Sequence, residues 1–175
     1  RILLVRLSHL GDVVHALPLF HALRERYPSA RIAWAVEPAF AGVLDGLPGL
    51  DARILFARRE GAGAWPALAA ALASFSPTWV IDAQANLKSA AVSLCAPSAR
   101  RSGLHKRDWR ESAGARVLHD WAPALEQDPA HAIDRMLALA RLVGMTAGAT
   151  MTALVFHFAP GRAEPVSLAI ATGFA

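Results

Sequence analysis

Short runs of Ile, Leu and Val alternate along the chain with longer stretches whose apolar residues recur at helical spacing. The run ILLVRL (2–7) reads as a strand buried on both faces. After the turn SHLG, Val13, Leu17, Phe20 and Leu23 predict one helix from Asp12 to Tyr27, stopped by Pro28. RIAWAV (31–36) is a second strand, and PAFAGVLDGL a short helical stretch that ends in Pro48–Gly49. ARILFA (52–57) is a third strand. The helix-like WPALAAALASF (65–75) follows, with Pro66 tolerable only in its first turn. TWVIDA (78–83) is a fourth strand, and LKSAAVSLC (87–95) a candidate helix. The basic segment 100–110 holds a short strand and a loop. A helix is expected at 130–143 and a last strand near 153–158. Strands alternating with helices in this way predict a doubly wound, mostly parallel α/β sheet covered on both faces.

The chain has 175 residues, enough for one domain, and 54% are hydrophobic, enough for a core. That balance excludes intrinsic disorder. No apolar run reaches the length of a spanning helix, and the N-terminus lacks the regions of a secretory signal. These features suggest a cytosolic-type chain. The single cysteine, Cys95, can form neither an internal disulfide nor a multi-cysteine metal site. Lys+Arg total 18 against 14 Asp+Glu, and only Lys88 and Lys106 are lysines. An arginine-based excess points to an anionic partner without choosing among nucleic acid, phosphorylated sugar and lipid.

In such sheets ligands meet the loops at the carboxyl ends of the strands. The first of these, Leu7-Ser8-His9-Leu10-Gly11-Asp12, has neither a dinucleotide-type glycine pattern nor a Gly-Lys-Ser/Thr phosphate loop. Asp12 has two readings there: an N-terminal helix cap, or a carboxylate that takes a proton from an incoming hydroxyl. The fourth strand runs into Asp82-Ala83-Gln84-Ala85-Asn86-Leu87-Lys88, a polar cluster at the same rim. Lys88 is either a compact charge for a carboxylate or phosphate, or a solvated lysine after a cap at Asn86. Arg58 and Arg59 follow the third strand, and Arg100, Arg101, Lys106, Arg107 and Arg110 cluster downstream. Guanidinium forks match carboxylate and phosphate. With Trp109 as the lone aromatic, that cluster lacks the interleaved stacking platform of a nucleic-acid site. His131 opens the 130–143 helix. The seven histidines show no metal-ligand spacing, and Ser8 and Ser89 lack a nucleophile elbow.

Taken together, VRLSHLGDVVHALP (5–18), AWAVEPAFAGVLDGLPGL (33–50), VIDAQANLKSA (80–90) and HAIDR (131–135) resemble the N-terminal half of the lipopolysaccharide heptosyltransferases of glycosyltransferase family 9, most like its heptosyltransferase I members. The resemblance implies a Rossmann-like acceptor domain over 1–158, one half of a GT-B enzyme, and a linker or irregular tail over 159–175. It also implies a C-terminal donor domain that these residues do not contain. The implied reaction is an inverting, metal-independent transfer of heptose from ADP-heptose, the donor substrate, to the Kdo region of lipid A, without a cofactor. The partner is Kdo-lipid A, met by peripheral contact at the cytoplasmic face of the inner membrane. Nucleic acid is not implied. By motif, Asp12 is the general base of the S-x-x-G-D loop, with Ser8 and Gly11 beside it. Arg58 or Arg59, Lys88, Arg110 and His131 face the acidic acceptor. His9 stands where a second serine is usual, and Ala85 where D-A-Q is followed by glycine. The alternatives are a non-catalytic module that binds an anionic sugar acceptor, or a nucleic-acid-binding α/β domain.

Overall fold

The computed structural model describes residues 1–125 and 132–144. Among the described residues six strands form one sheet: β1 (Ile2–Val5), β2 (Ile32–Val36), β3 (Ala52–Leu55), β4 (Trp79–Asp82), β5 (Arg100–Gly103) and β6 (Asp120–Trp121). Their order is β3-β2-β1-β4-β5-β6. Every pairing is parallel, with Val5 level with Ala35 on one side and with Asp82 on the other. The expected sheet is therefore present for the first four strands. The expected strand at 153–158, the tail at 159–175 and His131 lie outside the described residues.

Alternation along each strand feeds two cores. Leu4, Ile32, Trp34, Val36 and Ile81 pack on one face with Phe20 and Leu23. Leu3, Val5, Ala33, Ala35 and Val80 pack on the other with Leu68 and Leu72. The helix predicted from Asp12 to Tyr27 is two: α1 (Leu10–His15) and α2 (Leu17–Arg26), meeting at Ala16. Pro18 explains the break, because it has no N–H for the Val14 carbonyl and its ring crowds that oxygen. Pro38–Leu44 winds as a 3₁₀ segment, and α3 (Ala64–Phe75) holds Pro66 in its first turn. α4 (Leu87–Leu94) starts at an Asn86 cap, whose Oδ1 accepts from the Ser89 N–H at 3.0 Å. α5 (Ala132–Leu142) lies against α1 and α2, and the Tyr27 hydroxyl donates to the Val143 carbonyl at 3.2 Å.

The basic cluster of the sequence divides between the two ends of β5. Arg100 and Arg101 open the strand. Arg101 gives its guanidinium to the Val117, Pro97 and Ala99 carbonyls, so it braces the fold. Lys106 and Arg107 sit in a 3₁₀ turn (Lys106–Asp108) beyond the carboxyl end, followed by Arg110.

Candidate functional site

β1 lies between β2 and β4, so the chain leaves it toward β2 and later returns on its other side as β4. The loops after β1 and β4 diverge there and open a crevice, the usual ligand position in doubly wound sheets. Gln84 ties its two sides together: Oε1 accepts from the Leu7 N–H at 2.6 Å and the Ser8 N–H at 3.4 Å. Asp82 shapes the loop below, its Oδ1 accepting from the Gln84 and Ala85 amides at 2.9 and 3.0 Å. The tight turn leaves Ala85 at φ 59°, a left-handed backbone that glycine adopts without strain. The Ala85 carbonyl in turn accepts from the Arg110 N–H at 3.1 Å, strapping the post-β5 loop to the crevice.

Asp12 sits in the first turn of α1, at its third residue. The cap position itself belongs to His9, which corrects the expectation of Asp12 as cap. The Asp12 carboxylate reaches back, Oδ2 accepting from the His9 N–H at 3.3 Å. The same oxygen lies 2.8 Å from Arg6 Nη2. Arg6 also donates through Nη1 to the Ala83 carbonyl, and so joins the β1 loop to the end of β4. Burial pulls the Arg6 guanidinium below its ordinary value, while Asp12 and, more weakly, Asp82 draw it back.

Two pockets adjoin along the crevice. An inner one of about 510 Å³ is lined by Arg6, Asp12, Arg107, Asp108, Trp109, Leu125 and Arg135. An outer one of about 590 Å³ is lined by Glu37, Arg58, Arg59, Trp65, Lys88 and Glu111. Ser8, His9, Asn86 and Arg110 border both. These volumes suit a small polar ligand. Four cations, Arg6, Arg107, Arg110 and Arg135, face Asp12 and Asp108 in the inner pocket. Arg58, Arg59, Lys88 and Arg110 face Glu37 and Glu111 in the outer one. Each pocket favours an anion.

The sequence-predicted residues thus separate by compartment. Asp12 belongs to the inner pocket, Arg58, Arg59 and Lys88 to the outer, and Ser8 and Arg110 to both. Both Arg58 and Arg59 line the same pocket. Gly11 is exposed and lines neither, and a Cβ there would meet nothing within 4 Å. Lys88 is not a solvated lysine: Nζ donates to Glu37 Oε1 at 2.6 Å and to Ser8 Oγ at 3.1 Å. Sequence reasoning missed Arg6, Glu37 and Arg135. For Arg6 the signal was there, a charged residue inside a run otherwise buried on both faces. Glu37 offered a weaker one, as the first polar residue after β2. Arg135 gave none beyond its membership of HAIDR.

No protein-family model matches the chain. A lipopolysaccharide heptosyltransferase 1 from Pseudomonas aeruginosa is 30% identical over 144 residues, covering 77% of this chain and 40% of the relative. That from Salmonella typhimurium is 34% identical over 101 residues, 53% of this chain and 32% of the relative. Among solved structures, Escherichia coli heptosyltransferase WaaC with ADP superposes with a TM-score of 0.70 at 28% identity, over 83% of this chain and 48% of that one. A glycosyl transferase family 9 structure from Veillonella parvula gives 0.69 at 19% identity, over 84% and 42%, a likeness of fold. The chain is thus similar in sequence to lipopolysaccharide heptosyltransferase 1 proteins and in fold to WaaC and to a glycosyl transferase family 9 structure, over a stretch that covers less than half of each of these proteins.

Proposed function

We propose that this chain is the N-terminal, acceptor-binding half of a GT-B heptosyltransferase that transfers heptose from ADP-heptose to the Kdo region of lipid A. One observation carries the reading. At the switch point of the sheet, a carboxylate on the first turn of α1 stands beside two adjoining cationic pockets. Similarity to WaaC structures with ADP and with ADP-2-deoxy-2-fluoro heptose supports the donor class.

The chemistry is a single inverting displacement. An acceptor hydroxyl attacks the anomeric carbon from the face opposite the departing ADP, and Asp12 takes its proton. Arg6 holds one carboxylate oxygen, so the proton goes to the other. The carboxylate and phosphate groups of the acceptor pair with Arg58, Arg59, Lys88 and Arg110, with Ser8 beside them and His131 by its motif. The acceptor domain runs over 1–158 and a linker over 159–175, with the donor held by a second domain. No cofactor or metal takes part. Among the described residues no helix is long and apolar enough to cross a membrane. The acceptor lipid supplies the peripheral contact at the cytoplasmic face.

The test is Asp12→Asn in a protein carrying both domains. The variant keeps shape and loses the base, and heptose transfer to a Kdo-lipid A acceptor should fall roughly 10²–10⁴-fold. Transfer within a factor of two or so of the parent would remove Asp12 from the mechanism.

A further inference from the structure

Lys88 has three ammonium hydrogens and no acceptor capacity of its own. Two go to fixed groups, Glu37 Oε1 at 2.6 Å and Ser8 Oγ at 3.1 Å. Each of the three residues stands on a braced base. Glu37 directly follows β2, its N–H donating to the Leu7 carbonyl at 2.9 Å and its carbonyl accepting from Phe40 at 2.9 Å. Lys88 is the second residue of α4, behind the Asn86 cap. Ser8 is buried in the loop that Gln84 pins. The Glu37 side chain is only 9% exposed, whereas that of Lys88 reaches the outer pocket at 23%.

We propose that Glu37 is a positioning residue: with the Ser8 hydroxyl it fixes two of the three ammonium hydrogens of Lys88 and so aims the third into the outer pocket. The inference rests on the reading of that pocket as the acceptor site and deepens it. Because Glu37 neutralises Lys88, the attraction for an anion comes from Arg58, Arg59 and Arg110. Lys88 contributes direction. It discriminates by where an acceptor oxygen stands rather than by charge alone.

Counting charges and aiming a donor predict opposite results for Glu37→Ala. Removing a carboxylate from a cationic pocket strengthens anion binding if charge is what matters. It weakens binding if the ammonium must be held in place.

The experiment uses the 175-residue chain and the fact that it has two lysines, Lys88 and Lys106. Side-chain ¹⁵Nζ spectra then hold two ammonium signals, assigned with Lys106→Arg. In the parent, the Lys88 signal should persist against solvent exchange without ligand and move on adding a methyl glycoside of Kdo. In Glu37→Ala it should broaden away, and the glycoside should bind about three- to tenfold more weakly, the size of one ordinary hydrogen bond, because the ammonium stays in the pocket and loses only its orientation. Glu37→Gln keeps an acceptor oxygen without the charge and should fall between, and it carries the same test where Glu37→Ala does not fold. An equally persistent Lys88 signal in the variants, or tighter glycoside binding, overturns the proposal. Equal binding by the parent and Lys88→Ala would instead overturn the acceptor reading, while the ligand-free Lys88 signal would still decide the role of Glu37.

Discussion

Asp82 offers a test of the loop that supports the crevice. It ends β4 with no exposed surface. Oδ1 accepts two amide hydrogens, whereas Oδ2 is buried without a hydrogen-bond partner. The nearby Ser89 hydroxyl is committed to the Asn86 carbonyl at 2.9 Å. Burial pushes the carboxyl above the usual range, and the Ala85 amide, the Ser89 side chain, the Gln84 amide and Arg6 oppose that shift without cancelling it. A carboxyl raised in the folded state binds more protons there than in the unfolded chain. Its contribution to stability is therefore complete below the unfolded value, near 4, and is lost as pH rises toward the folded one. Asp82→Asn keeps the Oδ1 acceptor and cannot ionise, but it buries two amide hydrogens in place of one hydroxyl. An unpaired buried donor costs about 1–3 kcal/mol. Around pH 4 the parent should then be the more stable by roughly 1 kcal/mol or more. Above that pH it should lose about 1.4 kcal/mol per unit relative to the variant, until the folded carboxyl itself ionises. The two stability curves should therefore converge as pH rises above about 4. Urea unfolding followed by tryptophan fluorescence, repeated from about pH 4 to pH 8, measures both. Parallel curves, or a parent that gains on the variant as pH rises, would refute the reasoning.

Asp120 should behave in the opposite sense. The Arg100 guanidinium at 2.6 Å holds its carboxyl below the ordinary range, with Ser102 adding to it. Its contribution is thus present above the unfolded value and lost as pH falls through the folded one. Asp120→Asn should slightly flatten the acid limb of the stability profile, and added salt should shrink the difference between the two proteins. Gly114→Ala places a Cβ 2.6 Å from Trp109 Cζ3, where the buried indole also donates to the Leu104 carbonyl at 3.1 Å. Overpacking of this kind costs roughly 1–3 kcal/mol, read as a lower urea midpoint with an unchanged slope.

Local pattern carried much of this protein. Strand positions follow from dense β-branched and leucine runs, and those runs are legible because strands buried on both faces need no polar alternation. The Asn86 cap and the tolerated Pro66 follow from rules that span a few residues. The same reach explains the error at Ala16: apolar spacing continued across Pro18, whereas the backbone could not. β6 was invisible for a similar reason. It has two residues, Asp120 and Trp121, and owes its place to pairing with Ser102 and Gly103.

The candidate site divides along the same line. Its residue types could be read from the loops, because a carboxylate and cations after β-strands belong at a functional rim. Their partners could not. Lys88 meets Glu37 across 51 positions, Leu7 meets Gln84 across 77, and Arg6 reaches the Ala83 carbonyl across 77. Strand order brings these groups together, since β1 is flanked by β2 on one side and β4 on the other. Nothing in the spacing of residues along the chain encodes that neighbourhood. The sequence by itself determined which chemistry is available at the rim. Only the packed sheet decided that Asp12 is held by Arg6, that Lys88 is shared with Glu37, and that Arg100 and Arg101 stand at the far end of β5 from Arg110, because each of these depends on elements meeting in space.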